Sequence, residues 1–151
     1  MSVVAGDTYR REFAADPVQV RAARRHAMDI VRAWGLDCEE VGLVADELAT
    51  NAVLHGRSPF TLIVKRDETR VVIEVVDENP RLPTTVKSPP ALALSGRGLV
   101  IVDRLSSKWG VVPLAPGKIV WAELECRGVS DVASQDPVGS VRERSRQGLT
   151  H

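Results

Sequence analysis

The chain reads as an α/β protein: a two-layer sandwich in which three helices cover one face of a mixed, mostly antiparallel sheet. Three observations predict this. The elements run strand, helix, helix, strand, strand, long loop, helix, strand, strand. The strands come in hairpin-joined pairs, which makes their pairing antiparallel. The helical segments carry apolar residues at helical spacing and so need a sheet to bury that stripe.

Thr8 to Phe13 forms a short edge strand with Tyr9 and Phe13 as its bulky members. Asp16 then caps a helix, Pro17 suits its first turn, and Gln19 sits where a capping-box partner belongs. Val20, Ala23, Ala27, Ile30, Val31 and Trp34 form its apolar face, with Arg21, Arg24, Arg25 and Arg32 mostly elsewhere. His26 follows two of those arginines and is expected to be exposed. Gly35 ends the helix.

Asp37 and Glu40 mark a second helix start. Val41, Val44, Ala45, Leu48 and Ala52 give its core stripe, and Gly56 ends it. Residues 60–65 and 70–76 are rich in β-branched residues around Asp67-Glu68-Thr69, which predicts a hairpin. Between Glu78 and Leu94 stand Pro80, Pro83, Pro89 and Pro90, so that span is a long loop with the position of a lid. Gly98 to Leu105 reads as a buried helix, and residues 109–112 and 118–124 as two closing strands. The domain is expected to span 8–125. Residues 126–151, without aromatics or apolar periodicity, are expected to form a flexible tail.

Composition narrows the function. Twenty basic residues balance twenty acidic ones, which argues against a chain whose main partner is nucleic acid. No segment approaches the ~20 apolar residues of a membrane span, and the N-terminus lacks the apolar core of a leader. Cys38 and Cys126 form no Cys-x-x-Cys unit and are expected to be two ordinary thiols in a reducing, cytoplasmic compartment. The three tryptophans, Trp34, Trp109 and Trp121, are expected as core and interface anchors.

Four pieces carry chemistry. Glu47 and Asn51 lie one helical turn apart, on one flank of the second helix's core stripe. A carboxylate at such a boundary can take a proton from a hydroxyl or orient a water, and an amide oxygen there can ligate Mg²⁺. His55 lies one turn beyond Asn51, where it can edge the site or equally cap the helix end. Asp77 closes an apolar strand, where its carboxylate can accept a hydrogen bond from an exocyclic amine. In Ser95-Gly96-Arg97-Gly98-Leu99, two glycines at a helix start let backbone N–H groups approach a phosphate, and Arg97 adds a charged donor. Ile101 prevents a dinucleotide fingerprint, and Gly117-Lys118-Ile119 lacks the hydroxyl and the earlier glycine of a P-loop.

Together these segments resemble the GHKL ATPase superfamily with its Bergerat, or histidine kinase-like, nucleotide fold, and within it the bacterial anti-sigma-factor serine/threonine kinases of actinobacterial type. Leu43 to Gly56 is similar to the N box, Val76 to Pro83 to the first glycine box, and Ser95 to Leu99 to the second. Trp109-Gly110 and Gly117 to Trp121 resemble the closing hairpin. The resemblance implies an ATP/ADP and Mg²⁺ site. Glu47 would be the catalytic base and Asn51 the metal ligand. Asp77 would read the adenine amine, Gly96, Gly98 and Leu99 would shape the phosphate turn with Arg97 nearby, and residues 78–94 would be the lid. It implies phosphoryl transfer to an antagonist (anti-anti-sigma) protein, binding of a sigma factor and homodimerisation, with the arginines of the first helix as a candidate partner surface. Asn79 and Arg81 replace glycines of the first box, and Asn79 tolerates the left-handed conformation such a turn needs. That replacement motivates an alternative: a catalytically weak or inactive nucleotide-binding module acting by stoichiometric binding.

Overall fold

The computed structural model describes residues 7–79 and 96–129. Its sheet has five strands in the order β1-β3-β4-β6-β5, and every pairing is antiparallel. β1 (Thr8–Phe13) is one edge. β3 (Phe60–Asp67) and β4 (Arg70–Asp77) form the expected hairpin, and β5 (Lys108–Pro113) and β6 (Lys118–Glu125) close the other side. Three helices, α1 (Pro17–Ala33), α2 (Glu39–Asn51) and α3 (Gly96–Leu105), complete the sandwich.

The layers follow from strand alternation. Leu62 and Val64 on β3, Val71, Ile73 and Val75 on β4, and Val120, Ala122 and Leu124 on β6 are all buried. They meet the stripes predicted for α1 and α2, where Ala23, Ala27, Val31, Val41, Val44, Ala45 and Leu48 are at most 1% exposed. α2 packs against α1, α3, β4 and β6. It is therefore the central helix, and side chains on its flanks are the ones that can serve a site.

Asp16 caps α1 as expected, its side chain accepting from the Val18 amide at 2.9 Å. His26 departs from expectation. It is half-buried against the edge of the Phe13 ring, and burial, aided by Arg11, lowers its pKa. The start of α2 also differs. Its N-cap is Cys38, without a side-chain cap bond, because Leu36–Asp37 is drawn into a short strand, β2, that pairs with β7 (Arg127–Gly128).

That pairing corrects two further expectations. Cys38 and Cys126 form a disulfide rather than remaining thiols. They are 88 residues apart, but β2 and β7 bring their Cα atoms to 5.2 Å, within bonding range. The chain beyond Cys126 continues in ordered contact through Val129, whose amide donates to the Gly35 carbonyl at 2.8 Å. Residues 126–129 of the expected tail are therefore structured, and the rest of it lies outside the described residues. Among those described, no helix is long and apolar enough to cross a membrane.

Candidate nucleotide site

α2 does not stop at Asn51. Its last turn widens into a π turn, Ala52–Gly56, capped by Arg57 in the left-handed region at φ 52°. The sequence places that punctuation on Gly56; the residue with positive φ is its neighbour. π turns occur preferentially at functional sites, and this one carries His55.

Glu47 and Asn51 take the half-buried flank that helical rotation predicts. The preceding residue faces elsewhere. Asp46 meets Arg24 of α1 at 3.5 Å and accepts from Thr50 at the same distance. Burial raises the pKa of Glu47, and the neighbouring Asp46 charge adds to the effect. Both push this carboxyl toward the range in which a general base works.

The end of β4 folds onto the π turn. Asp77 is 3% exposed. Its Oδ1 accepts the Asn79 amide at 2.9 Å, which fixes the turn after the strand. The Asn79 side-chain amide donates to the His55 carbonyl at 2.6 Å, and the Glu78 amide donates to Ser58 Oγ at 3.3 Å. These two bonds staple the first glycine box to the end of the N box and to Ser58 just beyond it. Asn79 thus supplies a side-chain tether where glycine would supply none. Next to it, a cavity of about 310 Å³ is lined by Leu54, His55, Arg57 and Asn79.

The residue that sequence reasoning missed is Lys118. Its register partner across the sheet is Asp77. Its ammonium lies 3.0 Å from Asp77 Oδ1 and also donates to the Asn79 carbonyl at 3.0 Å. Both side chains are almost wholly buried. Gly117 permits this approach: at φ +99°, a Cβ there would stand 2.1 Å from the Asp77 carbonyl oxygen. The available signal was a lysine at the head of an apolar closing strand, opposite the end of another.

The structure therefore joins Asp77, Asn79 and His55 through hydrogen bonds and sets Asn51 about one turn and Glu47 about two turns before His55 along the same helical run. It does not place Glu47, Asn51 or Asp77 in the lining of the 310 Å³ cavity. α3 starts at Gly96, so the glycine pair forms its first turn, and Leu99 is buried. α3 packs on α2. Of the lid, only Glu78 and Asn79 are described; Arg81 lies outside. A larger groove of about 680 Å³ runs between α1 and α2 and is lined in part by Arg21, Arg24, Arg25 and Arg32. It contains none of the expected site residues. No group of three or more His, Cys, Asp or Glu able to hold a metal exists among the described residues.

An antiparallel five-stranded sheet backed by three helices, with an acid ending the central strand β4 and α3 packed on α2, defines the histidine kinase-like ATPase class of fold. Residues 13–123 match the histidine kinase-like ATPase domain, and the chain belongs to that family. Among solved structures, the chain is similar to the RsbU and RsbW domains of Rv1364c from Mycobacterium tuberculosis, with a TM-score of 0.60 and 16% identity. The likeness covers 80% of this chain and 32% of that one, so the chain spans about a third of the length of that structure. No curated protein matches.

Proposed function

We propose that the chain is an ATP-binding anti-sigma regulatory factor that phosphorylates a serine or threonine of an antagonist protein and, in the antagonist's absence, binds a sigma factor. The observation that carries this reading is the Asn79–His55 tether. It fastens the acid-bearing end of β4 to the helix that displays Glu47 and Asn51.

The residues fit a nucleotide. Asp77 is held in place by Asn79 and Lys118 through Oδ1, while Oδ2 has no hydrogen-bond partner among the described residues. An exocyclic amine is the natural donor for it. The N-terminus of α3 offers backbone N–H groups to phosphates. Mg·ATP, when bound, supplies the transferable phosphoryl group. Asn51 would contribute a neutral oxygen to Mg²⁺, a hard ion that takes oxygen ligands. Glu47, with its raised pKa, accepts the proton of the attacking hydroxyl. The arginine-lined α1–α2 groove is the partner surface we favour, and function as a homodimer in the cytoplasm belongs to the same proposal.

A second reading, regulation by binding without transfer, is favoured by the Asp77–Lys118 pair, which already engages the acid expected to read the base. Radiolabel transfer from ATP to candidate antagonists separates the two. Glu47→Ala should retain ADP affinity in calorimetry with and without Mg²⁺, yet lose transfer. Tight partner binding with no transfer by the wild type would leave the second reading standing.

A further inference from the structure

A buried ion pair is retained at a cost unless its remaining hydrogen-bond capacity is met. The Lys118 ammonium has three N–H donors. Two are used, on Asp77 Oδ1 and on the Asn79 carbonyl. The third has no partner among the described residues, and the hydrogen bonds that Asp77 accepts there all fall on Oδ1, leaving Oδ2 without one. One donor and one acceptor thus remain side by side on two side chains that are 3% and 2% exposed. Their positions are not adjustable. Gly117 presses the start of β6 against the Asp77 backbone, cross-strand register sets Lys118 opposite Asp77, and Asn79 is anchored to His55.

We infer that Lys118 is a specificity-determining residue of the nucleotide site: its free N–H donates to a ring nitrogen of the base whose exocyclic amine is accepted by Asp77. This inference rests on the nucleotide reading above. An adjacent acceptor and donor match the amine and the neighbouring N1 of adenine. Aspartate alone reads only the amine. With Lys118 the site reads both, through a charge-assisted bond.

Calorimetry with ADP and with 1-deaza-ADP, which carries a C–H in place of N1, tests this without mutation. The wild type should bind 1-deaza-ADP about tenfold more weakly or worse, the effect of one hydrogen bond to a charged group. Lys118→Met, of similar length but without a donor, should bind the two nucleotides within about twofold of each other. Should that variant fold poorly, Asp77→Asn/Lys118→Met removes both charges together and should show the same loss of discrimination. Equal affinity of the wild type for both nucleotides would overturn the role of Lys118 while sparing the site. Tighter ADP binding by Lys118→Met would also overturn it, since the ammonium would then be an obstruction. Absence of ADP binding altogether would overturn the nucleotide reading and this inference with it.

Discussion

The two ends of α2 are built on opposite principles. At the N-terminal end, Cys38 is bonded to Cys126, β2 pairs with β7, and the sulfurs belong to residues 5% and 7% exposed. Covalent linkage and backbone ladders hold this end. At the C-terminal end the helix relaxes into a π turn and meets Asn79, Asp77 and Lys118, a polar network in which the Asp77 and Lys118 side chains are almost wholly buried. The first end constrains the unfolded chain. The second stores desolvated charge, which is costly to the fold and useful to a ligand. On the proposed reading, stability and chemistry are assigned to different ends of one helix.

The largest effect should come from breaking the polar end. Asp77→Ala strands the Lys118 ammonium in the core, and loss of one partner of a buried pair typically costs about 3–5 kcal/mol. Urea denaturation should show this, and Asp77→Ala/Lys118→Met should recover part of it, because no lone charge is left behind. A single mutant within about 1 kcal/mol of the wild type would mean the pair is solvated. Next comes the covalent end. Cys126→Ser opens an 88-residue separation and should cost about 2–4 kcal/mol. Hydrogen exchange should then quicken at the Leu36–Asp37 and Gly128 amides while the Asn79 amide keeps its protection. Equal loosening at both would mean that the ends are not independent.

The covalent end was the less legible in the sequence. Local patterns placed β1, α1, the β3–β4 hairpin, α3 and the closing strands, because each shows its own periodicity or its own breaker residues. Nothing local announces that residue 36 pairs with residue 128; two-residue strands have no periodicity, and cysteines 88 apart carry no spacing signal. Asp37 looked like a helix cap because its chemistry suits that role, and tertiary pairing overrode the preference. At the polar end, Glu47, Asn51, His55 and Asp77 were visible as residue types on predictable faces. Lys118 was not, since a cross-strand partner is known only once register is known. The half-buried state of His26 was hidden for the same reason: Phe13 reaches it from another element.

A smaller effect probes the tether between the first glycine box and the end of the N box. Asn79→Gly restores the residue that the resemblance leads one to expect, but removes the side-chain bond to the His55 carbonyl and adds backbone freedom to the unfolded state. About 1 kcal/mol should be lost. The change should appear in the unfolding rate or midpoint, with the disulfide end unaffected. A stabilised Asn79→Gly would mean that the side chain strains the turn.

The smallest effect concerns Glu47, midway between the ends. Its folded pKa lies above the ordinary 4.5, first through burial and then through Asp46. The folded state therefore holds this proton more readily than the unfolded state. Stability falls as pH rises from 4.5 through the raised value, and above that value the full penalty of a half-desolvated carboxylate is present. Glu47→Gln removes the charge with little change of shape. The variant should be slightly more stable than the wild type at pH 7, and the advantage should fade on acidification and vanish below 4.5. Thermal melts of both proteins across that range would show it. An advantage that instead grows in acid would mean that the carboxylate is stabilised in the fold, which would contradict its assignment as a poised base. Asp46→Asn sharpens the test: removing the like charge should narrow the pH window, leaving burial alone to raise the pKa.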